Sequence, residues 1–582
     1  MKKILIMLAA AAAFVSCTMD FYRSDTMTSS MLKENPGAAV YTTDGNYAML
    51  KDEISYSNTR SGNEFCRLYF LMNELRGDNA SLSNKTTDPM CEDATYQDSE
   101  NAADLSYMWY ISYKIIYGCN SNIESMEEGS VETNHLLGEN YFLRAFCHFN
   151  LCNLFATPYL RGADKPGVVL RTSTDVSETK RVTVGEVYEQ IVKDLTEAIR
   201  LMDPGYSRGN KGYASHNAAR GLLTRVYLYM GENEKCAALA DEMLGSDPSG
   251  NLDDITTYFA NTKDSKETLW CIAKTTTDPY YSPKGELASI YYTSVEGDRG
   301  NGDEGWCELY WADPLIDLMM RHPEDKRLTY FVPYGVLNDG KKMVTWPLIS
   351  DNDMRLQQTI RDLAFDENAE VHATFKFDGK QCSVKSMDIN GYPAYYITGL
   401  YTDAQDKDDI TGGTRCYVRD NVDGILGVRD GVAPKYGMSK FSFQDGHSLL
   451  SSPAIIRWAE VVLNRAEANA KLGKDQKALD DVNVIRQRAG LGSDALWTMG
   501  NYAAAGYESV LDVVLDERRL ELCFEGQRTL DVYRNGKDLD RRYGGYQPYE
   551  VITPADMDIR YPYCIPFEET SVSHIDKNQK QN

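Results

Sequence analysis

At 582 residues and 42% apolar content the chain can build about two to four domains' worth of core. Its 86 acidic and 61 basic side chains leave a formal charge of −25. Such a surface repels nucleic acid and polyanionic glycans, and it leaves neutral sugars and cationic peptides as partners. Beyond the first residues no run approaches the roughly 20 apolar residues of a transmembrane helix.

The chain opens with Lys2 and Lys3, an apolar run from Ile4 to Val15, and then Ser16-Cys17. That is the layout of a signal peptide over residues 1–17, too short to span a bilayer. The cysteine placed directly after the small residue resembles a lipobox, with Phe14 where leucine is usual. Cys17 is therefore expected to become the acylated first residue, tethering the chain to a membrane surface. The other twelve cysteines show no C-x-x-C spacing, which argues against zinc or redox chemistry. Cys147, Cys152, Cys236 and Cys523 fall on apolar helix faces, where buried free thiols are expected.

Residues 18 to about 60 read as a polar arm followed by a first helix. Helical periodicity then dominates. Tyr141, Phe142, Ala145, Phe146, Phe149 and Cys152 form one stripe, and Val187, Ile191, Leu195, Ala198 and Met202 another. A helix over 218–230 stops at Gly231, and the next opens near Cys236. A helix over 455–472 stops at Gly473, and the next opens near Ala478. This internal echo resembles tetratricopeptide (TPR) helix pairs. From 271 to 445 the stripes thin out, and glycine, aspartate and aromatic residues crowd together. Alternation at Ala373-Thr374-Phe375-Lys376-Phe377 predicts short strands there. The expected fold is mainly α: TPR-like helix pairs form an α-α superhelical scaffold, with a loop-rich insertion that carries short strands. The partition is 18–270, the insertion 271–445, and a helical region 446–582.

Several segments together carry a family resemblance. Ile456-Arg457-Trp458-Ala459-Glu460-Val461-Val462-Leu463-Asn464-Arg465-Ala466-Glu467-Ala468 looks like a helix of the SusD/RagB family, and Ala478 to Leu491 is similar to the helix after it. Asp516-Glu517-Arg518-Arg519-Leu520-Glu521-Leu522-Cys523-Phe524-Glu525-Gly526-Gln527-Arg528 resembles that family's E-R-R-x-E-x-x-F-E-G-x-R helix. Tyr563-Cys564-Ile565-Pro566 stands at its closing turn. Upstream, Gly138 to Phe146 and Ala218 to Gly231 resemble two more of its helices. The resemblance implies an outer-membrane lipoprotein of Bacteroidetes, facing the cell exterior. It implies a partner too, a SusC-like TonB-dependent outer-membrane barrel that the lipoprotein covers. The ligand would be an oligosaccharide, or in some relatives a peptide. Neither catalysis nor a cofactor is implied.

Competing motifs are weak. Gly205-Tyr206-Ser207-Arg208-Gly209 spells G-x-S-x-G, but a nucleophile elbow needs a strand before it, and here a helix ends instead. Gly300, Gly302 and Gly305 spell G-x-G-x-x-G without the strand and helix of a dinucleotide site. No metal motif is present, and the histidines are dispersed. Glu517, Glu521 and Glu525 share one helix face and are interleaved with Arg518, Arg519 and Arg528, which reads as an ion-pair network. A glycoside hydrolase would need two facing acids; Asp303 and Glu304 are adjacent in sequence and suit that role poorly.

A sugar site wants aromatic platforms for C–H ring faces, flanked by polar side chains. Trp306, Tyr310 and Trp311, with Tyr280, Tyr281, Tyr291 and Tyr292, supply platforms, and Asp298, Arg299, Asn301 and Asp303 supply polar groups. Alternatively Tyr310 and Trp311 pack on Leu315 and Leu318. Arg76-Gly77-Asp78-Asn79 is a second polar candidate, lying in a region that contributes to the ligand face in relatives; otherwise it is a plain helix C-cap. Trp109 and Tyr110 read as core.

Overall fold

The computed structural model describes residues 36–291, 308–330 and 438–580, apart from 55, 57–63, 83–87, 320, 544–546 and 579, together with the backbone of six strands between 334 and 418. The first helices are α1 (Ala39–Ala48) and α2 (Phe65–Glu74), followed by strand β1 (Ala80–Leu82). Two long antiparallel neighbours come next, α3 (Ala103–Ser125) and α4 (Val131–Phe155). Ser130 starts α4 by accepting the Thr133 N–H at 3.2 Å. The hairpin of β2 (Pro166–Val169) and β3 (Arg181–Thr183) leads into α5 (Val184–Leu201), which opens with a reciprocal cap between Thr183 and Glu186. Val187, Ile191, Leu195 and Ala198 are fully buried against α4, as their spacing predicts. Arg144 of α4 forks onto Asp194 of α5 at 2.6 and 2.8 Å.

Two helix–glycine–helix units follow the same design. Helices α6 (His216–Met230) and α7 (Asn233–Leu244) meet at Gly231, φ 74°. Later α10 (Trp458–Lys471) and α11 (Asp475–Arg488) meet at Gly473, φ 70°. A side chain at either position would strain a left-handed backbone. Cys236 and Ala478, each five residues on, are completely buried where the paired helices approach. α7 and α10 also pack on each other, so the two units join into one scaffold. Among the described residues Cys147, Cys152, Cys236 and Cys523 are buried free thiols, as expected from their helix faces.

Between these units the chain leaves through β4 (Thr268–Cys271) and returns through β12 (Ala454–Arg457), its antiparallel neighbour. Residues 455–457, expected as the start of a helix, are therefore strand. β4 offers an edge whose buried N–H and C=O groups need partners, and Ile456 lies opposite Trp270. Not all of the intervening stretch is irregular. Helix α8 (Leu287–Tyr291), strand β5 (Leu309–Trp311) and helix α9 (Asp313–Met319) enter the main core, with β5 paired to β1. The expected short strands occur as a six-stranded antiparallel sheet: β6 (Tyr334–Leu337), β7 (Lys342–Val344), β8 (Thr374–Phe377), β9 (Lys380–Ile389), β10 (Tyr392–Thr398) and β11 (Tyr417–Val418). Their order is β11-β10-β9-β8-β6-β7.

The C-terminal region adds α12 (Val510–Leu522), α13 (Arg528–Arg534), α14 (Pro554–Arg560) and α15 (Phe567–Ser571). Here the ion network takes a form that the local sequence does not show. Arg457, 1% exposed, reaches Glu521 at 2.6 Å and both Glu525 and Glu267 at 2.8 Å. Glu517 takes Arg327 at 2.7 Å and Arg486 at 3.0 Å. Arg488 pairs with Glu521, and Lys440 with Glu525 at 2.6 Å. The interleaved arginines look elsewhere: Arg518 to Asp531 at 2.8 Å, and Arg519 and Arg528 to Asp78. Burial raises the Glu521 carboxyl, but Arg488, Arg457 and Arg327 overcome this and hold it below the usual range. Arg534, Lys471 and Arg518 likewise hold buried Glu467 well below it.

Replacing Arg457 by Ala removes a cation shared by three buried carboxylates and should lower stability by about 3–5 kcal/mol, read as a fall in the urea unfolding midpoint. The pH profile should also be bell-shaped. Glu521, Glu467 and Asp78 have folded values below their unfolded ones. Their stabilisation is complete above about pH 4.5 and is lost as pH falls. Glu64 and Glu74 are raised to about 7, mainly by burial. The folded state holds their protons, so that stability is lost as pH rises through about 7. Thermal unfolding temperature should therefore peak at about pH 4.5–5 and decline towards pH 7, and a monotonic rise to pH 8 would contradict this assignment.

Candidate functional site

The segment after β4 builds a tethered loop. Lys274, nearly fully buried, donates to Glu64 at 2.6 Å and Glu286 at 2.7 Å. Burial and the nearby Glu286 raise the Glu64 carboxyl to about 7, with Lys274 pulling against them. Four residues on, Asp278 closes a turn by accepting the Thr275 N–H at 2.9 Å and the Lys51 ammonium at 2.8 Å. The Tyr281 N–H donates to the Asp278 carbonyl at 3.1 Å. Tyr280 projects from this turn with 55% of its surface exposed, and Tyr281 is half-buried beside it. Anchoring at both ends limits the entropy that would be lost on ligand contact.

Other expected site residues are placed differently. Tyr291 is fully buried, its ring 5.8 Å from Phe441 and 5.4 Å from Phe524. Trp311 packs on Phe524 at 5.3 Å, and Tyr310 is fully buried. Both lie on β5, which is covered on each face because it completes β1 inside the core, so these three aromatics are packing residues. Arg76 is likewise internal. Its guanidinium lies 3.2 Å above the Tyr563 ring and pairs with Asp98 and the Tyr561 carbonyl. Asp78 sits between Arg519 and Arg528 at 3.2 and 2.7 Å. Asn79 accepts from Arg519 at 2.9 Å and donates to Glu74 at 2.9 Å. These three residues join α2 to the C-terminal helices and present nothing to a ligand. Tyr292, Asp298, Arg299, Asn301, Asp303 and Trp306 lie outside the described residues.

Ser207 of the G-x-S-x-G run lies in the loop between α5 and α6, and its hydroxyl accepts the Gly209 N–H at 3.1 Å. Arg208 pairs there with Glu139 and Asp44, at 2.9 and 2.5 Å. The strand-to-helix elbow is absent at this position.

Two family profiles match the chain in order. One, described as "Starch-binding associating with outer membrane", covers residues 49–228; the other, described as the SusD family, covers residues 329–571. The chain belongs to the SusD/RagB family. A SusD-like protein of Formosa agariphila is 23% identical over 492 residues, which are 82% of this chain and 81% of that protein. A SusD superfamily structure from Bacteroides thetaiotaomicron is 21% identical with a TM-score of 0.66, covering 93% of this chain and 99% of that one. A laminarin-binding SusD-like protein is 19% identical with a TM-score of 0.58, at 93% and 99% coverage. The mainly helical, TPR-like scaffold is thus the SusD fold.

One aromatic surface of this SusD-like chain was missed in the sequence. Tyr110, Tyr113 and Tyr117 line a cavity of about 320 Å³ on the outer face of α3, although Tyr110 reads as core in the sequence. The overlooked signal is spacing. Ile111, Ile115 and Cys119 follow an i, i+4, i+8 stripe into the core, whereas the tyrosines follow i, i+3, i+7 on another stripe of the same helix.

Proposed function

We propose that this chain is an outer-membrane lipoprotein, anchored through Cys17 and facing the cell exterior. It binds a neutral oligosaccharide and passes it to a SusC-like TonB-dependent barrel. The observation that carries the reading is the ordered match of two SusD family profiles, one of them described as starch-binding and associating with the outer membrane. The signal-like leader ending at Cys17 supports the anchor, and the laminarin-binding relative supports a neutral glycan. Net charge of −25 disfavours polyanionic glycans.

Within the described residues, Tyr280 and Tyr281 are the aromatic pair assigned to the ligand. Their loop is held by Lys51–Asp278 and by Lys274 between Glu64 and Glu286. Trp306, with Asp298, Arg299, Asn301 and Asp303 near it in sequence, extends that assignment. Capture and hand-over break no bond, so the role needs no catalytic group. Weak capture suffices, because lid and barrel would hold the ligand together.

Calorimetry of residues 18–582 against a panel of neutral oligosaccharides tests the reading. Binding should be seen, and Tyr280→Ala with Tyr281→Ala should weaken it by about tenfold or more, the loss of roughly 1.4 kcal/mol of ring contact. Preferential binding of basic peptides over every glycan would replace the ligand class. Failure to co-purify any large barrel from native membranes would remove the hand-over.

A further inference from the structure

The cavity on α3 is built from three kinds of group. Tyrosine rings form its wall. Tyr110 stacks on Tyr56 at 4.1 Å with 17° between planes, and the Lys114 ammonium lies 5.4 Å from the Tyr110 ring centre. Tyr113 is fixed by donating its hydroxyl to the Val169 carbonyl at 2.8 Å. Tyr117 is 51% exposed. From Tyr110 to Tyr117 the helix rises about 10 Å, the length of a disaccharide.

Arg171, just beyond β2, is the second group. Its backbone is held, with its N–H on His148 Nε2 at 3.2 Å and its carbonyl accepting from Asn120 at 3.3 Å. Its guanidinium Nη1 is shielded from solvent and meets no acceptor among the described residues. A shielded, unmatched donor is costly in a folded protein and is relieved by a bound acceptor. The third group is the Glu569 carboxyl of α15. Burial raises its pKa, and so does Glu568, against Ser573 and Arg171.

We propose that this groove is a second sugar-binding site, taking about two pyranose rings of a neutral glycan. Ring faces would lie on the tyrosines, with one hydroxyl accepting from Arg171 and another donating to Glu569. Lys114 and Arg171 are balanced in part by Glu569. The cavity also falls at the small end of the roughly 300–1,000 Å³ range of ligand pockets. Residues 51–56 link it to the tyrosine loop. Lys51 pairs with Asp278, the Ile54 N–H donates to Tyr107, and Tyr56 stacks on Tyr110. That stretch extends at most about 18 Å between its two anchored ends.

The inference rests on the glycan-binding reading above, and the test separates the two. Maltoheptaose and laminariheptaose are titrated into the mature chain, into Tyr280→Ala/Tyr281→Ala, and into that double variant carrying Tyr117→Ala or Arg171→Lys. Thermal unfolding of each variant confirms folding; Tyr117 is exposed enough to be removed without loss of core. The expected result is that the double variant keeps residual binding, and that either added substitution weakens it about tenfold. Equal residual binding with and without Tyr117→Ala overturns the second site and leaves the first standing. If Tyr117→Ala leaves sugar affinity intact but abolishes co-purification with the barrel, the groove is a protein contact and the proposal falls. Binding of neither sugar to the parent chain overturns it as well.

Discussion

A buried field of ion pairs is the constraint to which the rest of this structure conforms. Arg457, Glu521, Glu525 and Glu267 come from β12, α12, the turn after α12 and the approach to β4. Each charge would be expensive alone in the interior, and each is tolerated only because the others stand at fixed positions. The pairing of β4 with β12 and the packing of α12 beside α10 are therefore coupled. Neither can shift without exposing or orphaning a charge.

The same logic explains why the polar stretch at residues 76–79 is structural. Arg76, Asp78 and Asn79 are the N-terminal half of contacts whose other partners lie more than four hundred residues away, at Arg519, Arg528 and Tyr561. They close the two ends of the chain onto one another. A rigid frame of this kind lets exposed loops be held by a few contacts, as Lys51–Asp278 and Lys274–Glu286 hold the tyrosine turn.

The aromatic content divides along similar lines. Phe142 and Phe146 meet Trp270 edge-on at 4.9 Å, at the centre of the scaffold. Tyr280, Tyr117 and the rings beside them sit where apolar faces remain open to solvent. Tyrosine serves both settings because its ring packs well and its hydroxyl finds an acceptor, as Tyr113 does at Val169. Its abundance in this chain therefore does not identify a binding surface; the face of the element on which each ring falls does.

The sequence by itself determined the local design. Helix periodicity, the capping at Thr183, the turn glycines 231 and 473, and the small residues Cys236 and Ala478 follow from interactions within a few residues, so they can be read without the fold. The family motifs were legible for the same reason, being short contiguous runs of sequence. Only the tertiary structure decided which side chains are hidden and which charges meet. Glu517, Glu521 and Glu525 found arginines and a lysine from other elements in place of their interleaved neighbours. Tyr310 and Trp311 were buried because β1 needed a partner strand, and Tyr110, Tyr113 and Tyr117 line a groove whose other wall comes from residues far along the chain, Arg171 and Glu569. Pairing over hundreds of residues is a property of the packed molecule, and no local window of sequence contains it.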